Sequence, residues 1–193
     1  MNRPDPPIGH PPGQGRFGPR LDRFDHAADA YLERWRGHPV LDVVMTGATD
    51  AGEFSAIWHV SSLVRGIVTG RRDQVVGLAI GLGIESLVVN QGLKRIFRRP
   101  RPTSEGDERF HIRRPLTSSF PSGHASAAAF AATTLIGWDG RRSAPLWGSM
   151  AAIVATSRPY VRIHHASDVI AGAAVGTAMG LIARQCFRRS GLD

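Results

Sequence analysis

Three short blocks of the chain hold the side chains best suited to chemistry. The first runs from Lys94 to Pro102 and places Lys94 and Arg101 seven residues apart. The second is Pro121-Ser122-Gly123-His124. The third begins at Ser157-Arg158 and continues to His164 and Asp168. Lysine and arginine neutralise anionic oxygen, and the arginine fork fits two phosphate oxygens at once. Histidine can accept or donate a proton near neutral pH or act as a nucleophile. Fixed cations, two histidines and a carboxylate therefore read together as a phosphate-handling set. Lysine contributes a single residue, Lys94, to the 24 basic residues of the chain, and it falls within this set.

Each block also has a bland reading. Ser122 precedes an alanine-rich run and is a natural helix N-cap. Gly123 and His124 would then be the first helical residues, with free backbone N–H groups that suit an anion, or with no more than a capping role. His164 and Asp168 are four apart and would share a helix face. The carboxylate could fix the imidazole tautomer, or the two could form a surface pair. Pro100 and Pro102 end the helix carrying Lys94 and leave Arg101 on an extended loop. A solvated basic loop or a contact to lipid head groups is the reading for Arg95, Arg98 or Arg99.

These blocks need elements to hold them. Mildly apolar, helix-length segments run over residues 54–69, 74–93, 123–138, 144–156 and 167–187. Ahead of them, residues 21–36 have a helical apolar period through Leu21, Phe24, Ala28, Tyr31, Leu32 and Trp35. That predicts an amphipathic helix packed on the body or lying at a membrane surface. A shorter helix is expected over 39–49. Gly172, Gly176 and Gly180 stand four apart, which permits close helix packing. Residues 1–20 carry six prolines and four glycines; no secretory signal is read there, and a disordered basic tail is expected. The resulting division is 1–20 tail, 21–52 interfacial helices and 53–187 helical core.

The fold class expected is all-α, a helical bundle integral to a membrane with four to six membrane helices. Arg71-Arg72, Arg141-Arg142 and the group Arg184, Arg188 and Arg189 would fall on one side, as the positive-inside tendency requires. The three chemical blocks would fall on the other. His59, Arg65, Glu85, Asn90 and Gln91 lie within the apolar segments and would be functional or buried against other helices. The net charge of +8 points to an anionic partner. Nucleic acid is disfavoured, because basic residues do not interleave with aromatics on any one segment. A single cysteine, Cys186, excludes an intrachain disulfide.

In order and spacing the blocks resemble the signature of the type 2 phosphatidic acid phosphatase superfamily. That signature is Lys, six residues, Arg-Pro; then Pro-Ser-Gly-His; then Ser-Arg, five residues, His, three residues, Asp. The resemblance covers about residues 53–184. It implies that His164 is the nucleophile, that Asp168 orients it, and that His124 is the general acid and base. It implies that Lys94, Arg101, Ser122, Gly123 and Arg158 bind phosphate, with no metal and no cofactor. Two positions depart from the pattern: Arg162 stands where many members have glycine, and Ala166 where many have proline. Arg162 could add charge at the site mouth or narrow it.

The function expected is hydrolysis of a lipid phosphate monoester or diphosphate: a polyprenyl phosphate or diphosphate, phosphatidate or phosphatidylglycerophosphate. The partners expected are the phosphorylated lipid and membrane lipids, with the protein in a bacterial plasma membrane and its site on the extracytoplasmic face. A vanadium-dependent haloperoxidase, a soluble acid phosphatase and a non-enzymatic lipid-binding protein are the competing readings.

Overall fold

The computed structural model describes residues 17–102, 107, 109–110, 112 and 117–192. Seven helices make up the described chain, and no strand is present among the described residues. They are α1 (Pro19–Glu33), α2 (Pro39–Ala51), α3 (Ala56–Thr69), α4 (Arg72–Ile96), α5 (Gly123–Asp139), α6 (Ala144–Tyr160) and α7 (Ala166–Arg189). The expected tail lies outside the described residues up to residue 16. Phe17 packs its ring on Phe97 and Phe120, and α1 begins at Pro19. Proline fits the first helical turn because its missing N–H would have no helical partner there.

Helices α3 to α7 run alternately up and down, so the bundle has two ends. Residues 94–101, 119–124 and 157–168 meet at one end, where Ser122 N–H donates to the Asp168 carbonyl (3.0 Å) and Ser119 N–H to the Arg99 carbonyl (2.9 Å). At the other end Arg65 pairs with Asp139 (2.6 Å) and Gln74 donates to the Leu192 carbonyl (3.0 Å). Trp138 stacks there on Phe187. The three arginine groups Arg71-Arg72, Arg141-Arg142 and Arg184/Arg188/Arg189 belong to this second end.

The core is built from Trp58, Leu78, Leu82, Phe130, Leu135, Trp147 and Val154. The closest helix contact is α5 against α7. A Cβ added to Gly176 would lie 2.0 Å from the Ser126 carbonyl oxygen, and one on Gly172 would lie 2.4 Å from that of Ser122. Only glycine lets these backbones approach so closely, and the approach brings the starts of α5 and α7 together. Of the polar groups set within the apolar segments, Arg65 is tied to Asp139, Glu85 is buried, and Asn90 donates to Ser86 (3.0 Å). His59 and Gln91 are exposed.

Apolar side chains also face outward in quantity: Val60, Leu63, Val64, Ile67 and Val68 on α3, Val76, Ile80, Ile84 and Leu87 on α4, and Ile170, Leu181 and Ile182 on α7. Exposed apolar surface this continuous marks an interface. Among the described residues, α4 and α7 are long and apolar enough to cross a membrane.

The first helix, α1, lies against α6 and α7. Its polar side packs inward, with Asp22, Asp25 and, just past its end, Arg36 buried, while Phe24, Tyr31 and Trp35 face out. The surface it meets carries Arg99 and Arg162, which pair with its acidic residues, and Leu32 packs beside them on Tyr160, Val161 and Ile163. Helix α2 packs against α6, and its buried Thr49 hydroxyl donates to Ser157 (2.8 Å).

Candidate active site

Each block reaches the site through a specific local device. Helix α4 loses its α-helical register at Leu87–Leu93, which forms a π-helix. Such wide turns are rare and occur often at functional sites. The helix resumes at Lys94, whose side chain is buried. Its ammonium would lie 3.5 Å from a Cβ placed on Gly123, so the absent side chain at Gly123 leaves room beside Nζ. Ser122 caps α5 and accepts from Ala125 N–H (3.4 Å), leaving the Gly123 and His124 amides at the helix start.

Arg158 sits in the last turn of α6. Its guanidinium is fully buried, and among the described residues none of its three nitrogens has a hydrogen-bond partner. A buried unpaired charge is costly. The nearest carboxylate is Glu53, 4.0 Å from Nη1. The same Glu53 oxygen stands 3.4 Å from His124 Nε2. Lys94, Arg101 and Arg158 are close enough to act on one another electrostatically. The site therefore has an excess of buried positive charge beside His124.

His164 lies in the turn between α6 and α7 rather than on a helix. Asp168 sits in the first turn of α7, where its Oδ2 accepts from the His165 N–H that opens the helix (2.9 Å). The His164–Asp168 pair thus arises from a helix N-terminus and not from a shared helical face. Nδ1 of His164 stands 3.6 Å from Asp168 Oδ2 and 3.4 Å from the Ser119 hydroxyl. The 3.6 Å separation exceeds a hydrogen bond. Arg101 donates to the Ile163 carbonyl (2.9 Å) and brings Nη1 to 3.3 Å from His164 Nε2. With a donor beside Nε2 and a carboxylate beside Nδ1, the partners assign the proton to Nδ1 and the lone pair to Nε2. Burial pushes the imidazole down to about 3, with Arg101 and Arg158 acting in the same sense against Asp168. His164 is neutral at working pH.

All eight residues named from the sequence lie at this end of the bundle: Lys94, Arg101, Ser122, Gly123, His124, Arg158, His164 and Asp168. Two sequence expectations fail. Arg99 is not solvated: it is 5 % exposed and its guanidinium is bound on both arms. Arg162 does not stand free at the site mouth. It is buried and pairs with Asp29, Glu33 and Asp107 at 2.9–3.2 Å. Its φ of +57° explains why glycine suits this position, since left-handed backbone costs other residues about 1–2 kcal/mol. The ion pairs offset that cost and tie α1 to the α6–α7 turn. Glu53, Ser119 and Asp25 also reach the site and escaped the sequence reading, because their partners are far away along the chain.

Residues 74–192 match the sequence model of the family described as the PAP2 superfamily. A Mycolicibacterium smegmatis decaprenylphosphoryl-5-phosphoribose phosphatase is 33 % identical over 136 residues, covering 67 % of this chain and 71 % of that protein. An Escherichia coli (strain K12) protein carrying the name of an undecaprenyl-diphosphatase is 28 % identical over 109 residues, 56 % of this chain. The chain spans about half, 54 %, of that relative's length. Among solved structures, a transmembrane PAP2-type phosphatidylglycerolphosphate phosphatase from Bacillus subtilis superposes with a TM-score of 0.68 at 22 % identity, over 88 % of this chain and 87 % of that one.

Proposed function

The chain belongs to the PAP2 superfamily, and from that premise we propose that it is a membrane phosphatase acting on a lipid phosphate monoester or diphosphate. The observation that carries this reading is Arg158. Its guanidinium is fully buried without a hydrogen-bond partner among the described residues, in company with Lys94 and Arg101 at the N-terminus of α5. An incoming phosphate would satisfy Arg158 and lie beside Lys94, Arg101 and the helix-start amides. The outward apolar faces of α3, α4 and α7 put that site at the end of a lipid-embedded bundle, where a tail can remain in the bilayer. Polyprenyl phosphates and diphosphates are favoured among substrates, because two relatives carry polyprenyl names.

In this reading His164 Nε2 attacks phosphorus and the bond to the leaving oxygen breaks. His124 gives that oxygen a proton, so the alcohol or phosphate departs neutralised. Asp168 supports the charge that develops on the His164 ring. Water then attacks the phosphohistidine, His124 takes its proton, and inorganic phosphate leaves with His164 restored. Lys94, Arg101, Arg158 and the Gly123 and His124 amides at the start of α5 hold the equatorial oxygens throughout. These protein groups carry the charge stabilisation, so the reaction proceeds without a divalent metal.

The arginines of the opposite end support a reading in which that end is cytoplasmic. The site then faces the outside of a bacterial plasma membrane. Phe24 and Tyr31 on α1, and Trp35 just past its end, suit the membrane interface on that side, where aromatic side chains collect.

Purified protein in detergent is expected to release inorganic phosphate from a polyprenyl diphosphate in the presence of EDTA. Vanadate, which mimics the five-coordinate transition state, is expected to inhibit it. Phosphate release that requires added divalent metal would refute the proposal.

A further inference from the structure

We propose that Asp25 and Arg99 are positioning residues which hold the Asp168 carboxylate against His164, so that α1 is part of the catalytic apparatus. The inference rests on the reading of His164 as the nucleophile. Asp168 is fully buried, and a carboxylate serves a histidine only if it cannot rotate away. Its Oδ1 is taken by Arg99 Nη1 at 2.5 Å, while Oδ2 accepts from Ser119 and from the His165 amide and faces His164 Nδ1. Arg99 thus fixes one oxygen and leaves the other turned to the imidazole.

Arg99 is fixed in turn from α1. Its Nη2 donates to Asp25 Oδ2 (2.7 Å), and its Nη1 also reaches the Ser167 hydroxyl (2.8 Å). Asp25 accepts from the Ser167 amide (2.8 Å) and hydroxyl (2.7 Å) at the start of α7. The Phe17 ring lies 5.3 Å from the Arg99 guanidinium carbon. The chain Asp25–Arg99–Asp168 is buried along its length, with side chains 5 % exposed or less. It carries one net negative charge beside the N-terminus of α7, where such charge is favoured. That charge also favours the positive ring His164 acquires on attacking phosphorus. Arg99 differs from Arg158 in this respect: both arms are occupied by protein carboxylates, so it is not a phosphate ligand. Asp25 lies outside the residues that match the family, 74–192, so this support comes from the N-terminal part of the chain.

The test uses the full chain in detergent, with a polyprenyl diphosphate as probe and burst formation of phosphoenzyme as a second readout. Outer supports of a reacting imidazole contribute about 10- to 100-fold to activity. Arg99→Ala is expected to lose kcat at the upper end of that range, with KM changed by less than about threefold. Asp25→Asn, which keeps size and fold, is expected to lose kcat about 10-fold. The double variant is expected to match Arg99→Ala within about twofold, because both residues act through one chain. Arg99→Lys is expected to recover part of the lost kcat. Wild-type kcat in folded Arg99→Ala or Asp25→Asn would overturn the proposal. So would a loss confined to KM, which would make Arg99 a substrate ligand. If Arg99→Ala fails to fold, the kcat of Asp25→Asn decides. Full turnover by His164→Ala would instead refute the nucleophile assignment on which the inference rests.

Discussion

The two ends of the bundle are both rich in arginine and use it in opposite ways. At the end formed by Arg71, Arg72, Arg141, Arg142 and Arg189 the arginines are solvent-facing, and Arg71 pairs locally with Asp73. At the other end Arg36, Arg99, Arg158 and Arg162 are buried. Solvated charge costs little and tolerates loss, whereas buried charge must have a partner or be awaiting one. Among these four, Arg36, Arg99 and Arg162 are hydrogen-bonded to carboxylates of the protein and Arg158, among the described residues, is not. The comparison therefore sorts one residue type into topology, scaffold and ligand binding.

That sorting can be broken in order of expected effect. Arg158→Ala is expected to lower kcat/KM by about 100- to 1,000-fold, the scale for removing one preorganised donor to a developing anion. Steady-state kinetics on a polyprenyl diphosphate measure this, and near-normal turnover would place phosphate elsewhere. Arg162 is expected to act on stability instead. Arg162→Ala should melt below Arg162→Gly by the equivalent of about 1 kcal/mol, because alanine keeps the left-handed strain while both lose the ion pairs. Thermal unfolding in detergent distinguishes the two, and equal melting would remove the backbone argument. The smallest effect belongs to the far end: Arg71→Gln with Arg72→Gln should leave kcat within about twofold, since exposed charges contribute little locally.

The buried imidazole gives a further contrast. A free histidine titrates near 6.5, while burial holds His164 down to about 3. Its folded pKa is below its unfolded one, so acid favours the unfolded chain, and stability is lost as pH falls from about 6.5 towards 3. Nitrogen NMR of histidine-labelled protein should find the His164 ring neutral at pH 5, where an ordinary histidine is mostly charged. A protonated ring there would contradict the burial argument.

Much of this was legible in the chain itself, for reasons particular to each element. The apolar segments marked α3 to α7 well because helix period and length survive in any apolar environment. The spacing of Gly172, Gly176 and Gly180 carried the α5–α7 contact. The three chemical blocks lie at the ends of those helices, so finding the helices also gathered the blocks. Helix α1 stayed open in the sequence because periodicity shows two faces but not which one packs. Its partner surface carries arginines, so Asp22 and Asp25 turned inward and Phe24 and Trp35 outward. Arg99 was unreadable for a related cause: its carboxylates, Asp25 and Asp168, are 74 and 69 residues away. The spacing of His164 and Asp168 suggested a shared helix face, yet their pairing comes from the N-terminal turn of α7.

The most direct measurement of the central claim is rapid-quench labelling with a polyprenyl diphosphate carrying a radioactive terminal phosphate, in EDTA. The account predicts an acid-labile, base-stable phosphoenzyme on the wild-type protein, mapped to His164, and no label on His164→Ala. Phosphate release by His164→Ala at the wild-type rate, or label mapped to another residue, would contradict it.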